Sequence, residues 1–253
     1  MMREQRLEKI VELVNRKGTM SLKEIQAIFK VSMVTIRRDI SELVNRNLLQ
    51  KVHGGVKPVM YYDKETDFMK RLDINRLLKE KIAEKALEFV NNGDTLFLDA
   101  STTVYMFAKK LSKVKKNLYV ITNGVMTAME VSKNRTNTVI LINGVFHPET
   151  LSLAGPLAVD CAKKFFTQKA FISCRGFSPE SGTYEINTAE SEVKKVMVEN
   201  TETLFVLIDS SKIGKKSLIN LVPLSRIRYV ITDNISKEDM KALIKNGVNV
   251  IIA

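Results

Sequence analysis

Residues 32–44 read SMVTIRRDISELV. At about 100° per residue, Met33, Ile36, Ile40, Leu43 and Val44 share one face, the mark of an amphipathic helix with that face toward a core. Arg38 falls almost opposite, with Val34, Thr35, Ser41 and Asn45 on the same outer side. Arg37 flanks the apolar arc. The two neighbouring arginines are therefore expected to differ in role. Arg38 projects to where a DNA major groove would lie, while Arg37 can run its stem along the core edge and reach a phosphate. The competing reading of Arg38 is an i, i+4 ion pair with Glu42, worth only a few tenths of a kcal/mol.

Upstream, Leu7, Ile10, Val11 and Val14 recur at i, i+3, i+4, i+7 and predict a helix that stops at Lys17-Gly18. Ser21 with Glu24 three residues on forms a capping-box pattern for a second short helix, whose Leu22, Ile25, Ile28 and Phe29 point inward. Ser32 can cap the third. Two short helices joined by a tight turn, after a lead-in helix, make a helix-turn-helix. Next, NLLQKVHGGVKPV alternates around Gly-Gly and predicts two strands joined by a tight turn, carrying Lys51, His53 and Lys57. A basic hairpin in that place is a wing suited to a DNA backbone, although His53 also reads as a plain polar turn residue.

Charge distribution points the same way. The chain of 253 residues has a formal charge of +12. Residues 1–58 hold 12 Lys/Arg against 6 Asp/Glu, so under a quarter of the chain carries half of the excess. A compact basic segment fits a polyanionic partner, double-stranded DNA. No apolar run approaches the roughly 18 residues that span a bilayer, and MMREQRLEKIVEL contains no uninterrupted apolar core of a secretion signal. Two cysteines (Cys161, Cys174) and two histidines (His53, His147) are too few and too scattered to predict a metal site or a disulfide, and no cofactor is expected. A reducing cytoplasm fits this cysteine usage.

Residues 59–75 are polar, without a sustained period, and read as a linker between a domain at 1–58 and a second at 76–253. From residue 76 onward helices alternate with near-continuous aliphatic runs such as TLFLDA, LYVITN, TVILIN, KAFISC and TLFVLID. That pattern predicts an α/β layer fold with a mostly parallel sheet. Ligands of open α/β sheets bind outside the carboxyl ends of the strands. Those ends are polar and Gly-bearing here: Asp99 with Ser101, Thr102 and Thr103; Asn123 before Gly124; Gly144; Arg175-Gly176; Asp209 before Lys212. Each cluster alone reads as a cap or a turn. Five together predict a pocket for a small polyhydroxyl anion such as a phosphorylated sugar, with Lys212 or Arg175 compensating charge and the helix opened at 101–103 offering backbone N–H groups. Glu190 and Lys194 belong to the candidate set, and their i, i+4 spacing predicts an ion pair between them.

The run from Arg3 to Val59, with VSMVTIRRDISEL and then KVHGGV, resembles the N-terminal domain of the DeoR family of bacterial transcription regulators. LDASTT, VITNG, AFISCRGFSPESGTYEINTAESEVKK and IDSSKIGKKSL resemble the family's effector domain, which is similar to sugar-phosphate isomerases of the ribose-5-phosphate isomerase type. Ala100-Ser101 stands where Ser-Gly is usual. The resemblance implies a regulator, acting as a repressor of carbohydrate genes, whose winged helix-turn-helix reads an operator through Ser21, Ser32, Val34, Thr35, Arg37, Arg38, Ser41, Lys51, His53 and Lys57. It also implies a homo-oligomer, since operators of such proteins are repeated half-sites. Two other readings stand beside it. One is an active sugar-phosphate isomerase carrying a DNA-binding domain, with Asp99, Glu190 or Asp209 as the carboxylate base. The other is charge-driven, non-specific binding of nucleic acid.

Overall fold

The computed structural model describes residues 3–46, 48–58 and 67–253. The chain forms two compact units, Met1–Asp63 and Lys64–Ala253.

In the first unit, α1 (Arg3–Lys17), β1 (Met20–Ser21), α2 (Leu22–Phe29) and α3 (Met33–Asn45) precede the hairpin β2 (Leu49–Val52) and β3 (Gly55–Pro58). The capping box forms as the spacing predicts: Glu24 N–H donates to Ser21 Oγ (3.2 Å) and Ser21 N–H to Glu24 Oε2 (2.7 Å). Ser32 Oγ accepts from Thr35 N–H at 3.1 Å and starts α3. Leu7, Ile10 and Val14 of α1 meet Ile25 of α2, Ile36, Ile40 and Leu43 of α3, and Leu49 and Val56 of the hairpin in one apolar core. Burying each such aliphatic side chain is worth roughly 1.5–3 kcal/mol. β1, too short to show a period in the sequence, completes a sheet of order β1-β3-β2. Only glycine fits at position 55, where a Cβ would lie 2.2 Å from the Met20 carbonyl oxygen.

The second unit opens with α4 (Phe68–Asp73) and α5 (Arg76–Ala86) and continues β4 (Thr95–Leu98), α6 (Thr102–Val114), β5 (Tyr119–Thr122), α7 (Val125–Val131) and β6 (Thr138–Leu141). A ribbon of β7 (Val145–His147) and β8 (Ser152–Ala154) leads to α8 (Pro156–Ala162) and β9 (Thr167–Ile172). Then follow β10 (Gly176–Ser178), β11 (Gly182–Glu185), α9 (Thr188–Glu199), β12 (Thr201–Leu207), β13 (Ile219–Val222), β14 (Tyr229–Thr232), α10 (Lys237–Lys245) and β15 (Asn249–Ile252). The expected α/β fold is present: seven strands, all parallel, in the order β15-β14-β12-β9-β4-β5-β6. Alternate residues of each strand serve opposite faces. Leu96, Leu98, Phe171 and Phe205 pack under α5 and α6, while Phe97, Ala170, Ile172 and Val206 pack under α8, α9 and α10. Phe171, Phe205 and Tyr229 stack across three neighbouring strands with centroids 4.6 and 4.7 Å apart.

Strands β4, β5 and β6 run outward one way from the centre, and β9, β12, β14 and β15 the other. The order therefore reverses between β4 and β9, and a crevice at their carboxyl ends is the ligand position of an open α/β sheet. A small antiparallel sheet, β10-β11-β13, rises beyond that edge. It falls in stretches whose three- and four-residue strands are too short to show alternation.

The expected linker 59–75 is only partly what the structure contains. Residues 59–66 lie outside the described residues. Residues 68–73 are the helix α4, capped by Asp67 and anchored by the buried Phe68 ring edge-on to Tyr105 at 5.7 Å. Phe68 and Leu72, four residues apart, both pack on the core, but one helical spacing is too short to show a sustained period.

Candidate functional site

On α3 the carboxylates are taken by residues other than the neighbouring arginines. Asp39 is buried and accepts from Arg3 Nε (3.3 Å) and Arg6 Nε (2.7 Å), both of α1. Glu42 pairs with Arg3 and with Arg46. The Arg38–Glu42 pair weighed from the spacing is not formed, because α1 and the end of α3 already occupy that carboxylate. Among the described residues neither Arg37 nor Arg38 has an ion-pair partner, and both are exposed. Val34, 76% exposed, and Ser41 lie on the same open side, while Thr35 is half-buried with its hydroxyl 2.9 Å from Ser32 Oγ. An apolar side chain so exposed at the start of the helix is suited to contact a thymine methyl. Lys51 and His53 are exposed at the wing tip and Lys57 is half-buried on β3. The hydroxyls of Ser21 and Ser32 cap their helices. The sequence reading overlooked Asp39; a lone acid beside two arginines gives no hint that its partners sit more than thirty residues earlier.

At the sheet's carboxyl edge, Asp99 ends β4 and its side chain organises two loops. It accepts from Ser101 N–H (3.0 Å) and Ser173 N–H (2.9 Å), and Lys194 Nζ lies 3.1 Å away. Lys194, half-buried on α9, also donates to the Ser173 carbonyl (2.8 Å) and pairs with Glu185 of β11. The expected Glu190–Lys194 pair is thus overturned. Lys194 turns inward to Asp99 and Glu185, whereas Glu190 accepts from Ser152 of β8. Burial alone would lower the Lys194 pKa, yet the two carboxylates prevail and hold it above the ordinary lysine value. Burial pushes the neighbouring Cys174 thiol up to about 12, which keeps it protonated and unfit as a nucleophile.

After β12, Asp209 accepts from Ser211 N–H (3.1 Å) and from Asn75 Nδ2 (3.0 Å). Lys79 of α5 is buried close enough to feel both the Asp209 and Lys212 charges. Its ammonium donates to the Arg71 carbonyl, and burial lowers its pKa to about 8, with Asp209 opposing. Asn75 and Lys79 were absent from the sequence-derived set because their helix precedes the first strand. Only the fold carries them to the edge.

The remaining candidates divide. Thr102 and Thr103 are buried at the start of α6, where Ser101 Oγ accepts from Val104 N–H at 3.3 Å. Asn123 is buried at the end of β5; its Nδ2 donates to the Leu153 carbonyl at 3.3 Å and its Oδ1 has no partner among the described residues. An orphaned acceptor there suits a ligand hydroxyl. The two other glycines answer to packing: a Cβ on Gly144 would meet the Ala154 oxygen at 2.7 Å, and one on Gly176 the Lys215 oxygen at 2.5 Å. Arg175 is buried beside them.

The sequence matches the DeoR-like helix-turn-helix domain over residues 6–59 and the DeoR C-terminal sensor domain over residues 74–234. The chain belongs to the DeoR family. It is 34% identical to the HTH-type transcriptional regulator GolR of Listeria innocua, over 98% of either chain. It is 33% identical to the lactose phosphotransferase system repressor of Streptococcus mutans, over 97% of this chain and 98% of that one. Among solved structures, a D-ribose-5-phosphate isomerase in complex with phospho-erythronic acid superposes with a TM-score of 0.42 and 13% identity, over 55% of this chain and 54% of its own. The DeoR-family chain is a DNA-binding transcriptional regulator, with the winged unit as its helix-turn-helix domain and the α/β unit as its sensor. Among the described residues no helix is long and apolar enough to cross a membrane.

Proposed function

We propose that this regulator represses carbohydrate-metabolism genes by binding a double-stranded operator and is controlled by a phosphorylated sugar held at the carboxyl edge of its parallel sheet. The single observation that carries the DNA side is the use of both α3 carboxylates by other arginines, which leaves Arg37 and Arg38 exposed without an ion-pair partner among the described residues. Arg38, Val34, Thr35 and Ser41 then face bases, while Arg37, the wing residues Lys51, His53 and Lys57, and the capped helix starts at Ser21 and Ser32 meet the backbone. Two recognition helices must reach successive major grooves about 34 Å apart, so the regulator works as a homo-oligomer, in the cytoplasm where its DNA lies.

On the ligand side, the buried Lys79 ammonium has a carbonyl where an anion would serve better, with Lys212 near it and Arg175 after β9 for charge. Ser101, Thr102, Thr103, Asn123 and Asp209 suit sugar hydroxyls. Control follows by linkage: an effector that prefers the non-operator conformation weakens operator binding by that difference in affinity. Turnover is not part of this function. Asp99 is filled by two N–H donors and Lys194, and Glu190 by Ser152, so neither is a free carboxylate base.

The test is an operator selected from random DNA by the full-length chain, followed by anisotropy titration with a panel of sugar phosphates. We expect a preference of at least ~10³ over scrambled DNA at fixed salt and release by one member of the panel. Lys212→Ala should keep the operator affinity and lose the release. Equal affinity for scrambled DNA, or no response to any phosphate, would refute the proposal.

A further inference from the structure

The chain passes from the DNA-binding unit into the sensor through α4, and α4 is attached to the ligand edge at its far end. Its six residues make under two turns, whereas isolated helices below about 12–15 residues are marginal in water, so α4 persists through its anchors. Two anchors stand at its start: Asp67 caps it, and Phe68 is buried against Tyr105 with its N–H on the Glu149 carbonyl at 2.7 Å. At its end Leu72 is half-buried against the sensor core, and the other anchors are polar. The Arg71 carbonyl, in the last turn, is held by Lys79 Nζ. Asn75, two residues past the helix and in the left-handed region (φ +54°), donates its amide to Asp209 Oδ1 at 3.0 Å and to Ser211 Oγ at 3.1 Å.

We infer that α4 is a latch: a phosphorylated ligand seated against Lys79, Asp209 and Ser211 takes the groups that hold the end of α4, and release of that end changes operator affinity. The inference rests on the effector site proposed above. Each partner in the latch has a better one in such a ligand. Phosphate oxygens pair with an ammonium more strongly than one backbone carbonyl does, and ligand hydroxyls compete for Asp209 and Ser211. The low pKa that burial imposes on Lys79 shows that its present surroundings do not satisfy the charge. Phe68 and Leu72 thus keep the segment docked, and Asn75 and Lys79 make the release of its end conditional.

The experiment is hydrogen exchange by mass spectrometry together with operator titration, both on the full-length chain. Asn75→Gly removes the amide and keeps the left-handed backbone that glycine adopts freely. Asn75→Asp keeps the shape and sets a second carboxylate against Asp209. In the absence of any ligand, amides 68–73 of both variants should exchange at least ~10-fold faster than in the wild type, with β9 and β12 unchanged. Their operator affinity should shift at least ~5-fold. Unchanged exchange over 68–73, or faster exchange with unchanged operator affinity, overturns the latch. In the wild type, sn-glycerol 3-phosphate, D-ribose 5-phosphate and inorganic phosphate serve as probes, and one that binds should accelerate the same amides. A probe that displaces operator without accelerating them also overturns it. If no probe binds, the effector reading fails, and the ligand-free comparison still decides whether α4 couples to the operator.

Discussion

Two lysines largely withdrawn from solvent, the buried Lys79 and the half-buried Lys194, stand at the same edge of one sheet, and their surroundings differ. Lys194, on α9, meets two carboxylates and a carbonyl, and its ammonium is held above the ordinary lysine pKa. Lys79, on α5, donates to one carbonyl and is depressed to about 8. Burial penalises both charges, and what faces them decides the outcome. The comparison teaches where a ligand can act. On the β4–β9 side the lysine is spent in its own ion triad, which ties the Asp99 loop to the Ser173 loop and leaves hydroxyls and amides, not a cation, to meet a ligand. The β12 side holds a cation whose charge awaits a better partner.

The strongest way to break this contrast is Lys194→Met. It leaves the buried Asp99 without its ammonium and Glu185 with the Arg175 charge alone, and we expect a loss of about 3–5 kcal/mol in urea unfolding. A loss under 1 kcal/mol would mean that the triad does not hold the loops. The pH dependence of Lys79 gives the next effect. Its folded pKa lies below the ordinary value of about 10.4, so between pH 8 and 10.4 the unfolded chain binds more protons and stability rises with pH, by about 2–3 kcal/mol over the window. The gain is absent below pH 8 and complete above the unfolded value. Lys79→Met lacks it, so the difference between wild type and variant across the pH series isolates this group. A sugar phosphate should correspondingly bind the wild type more weakly once pH passes 8, because the free protein has then lost the proton that the anion needs. A flat difference curve would place Lys79 in ordinary solvent.

The smallest effect on folding belongs to Arg38→Ala. With no partner to lose, its stability should stay within about 0.5 kcal/mol of the wild type. Discrimination between operator and scrambled DNA should fall by about 1–3 kcal/mol if the arginine reads a base. The variant thereby sharpens the comparison from the other unit: a cation with no partner in the fold affects the ligand far more than the stability. An unchanged specificity ratio would remove Arg38 from the readout.

Much of the architecture was legible where a period or a cap is written in adjacent residues. Ser21 with Glu24, the Ile36–Ile40–Leu43 stripe, the HGG turn and the aliphatic strand runs all act over a few residues, and each forms as its spacing predicts. The polar strand ends were equally plain and do converge on one edge. Partnership was not legible. Glu190 and Lys194 have the spacing of a pair, yet Lys194 turns to Asp99 and Glu185, because burying its ammonium demands carboxylates that only β4 and β11 bring within reach. Asp39 finds Arg3 and Arg6 across more than thirty residues, and Asn75 and Lys79 meet Asp209 across more than a hundred. α4 hid because six residues give a single helical spacing, Phe68 to Leu72, and no sustained period.

The sequence by itself determined the elements, the binary pattern that makes a winged unit and a parallel α/β unit, and the basic character of the first. These follow from interactions between residues a few positions apart, where backbone geometry sets the distance. Tertiary structure alone decided which charges are spent and which remain. Coulomb and desolvation energies depend on separation and burial in space, and chain folding brings together groups whose sequence distance carries no information about either.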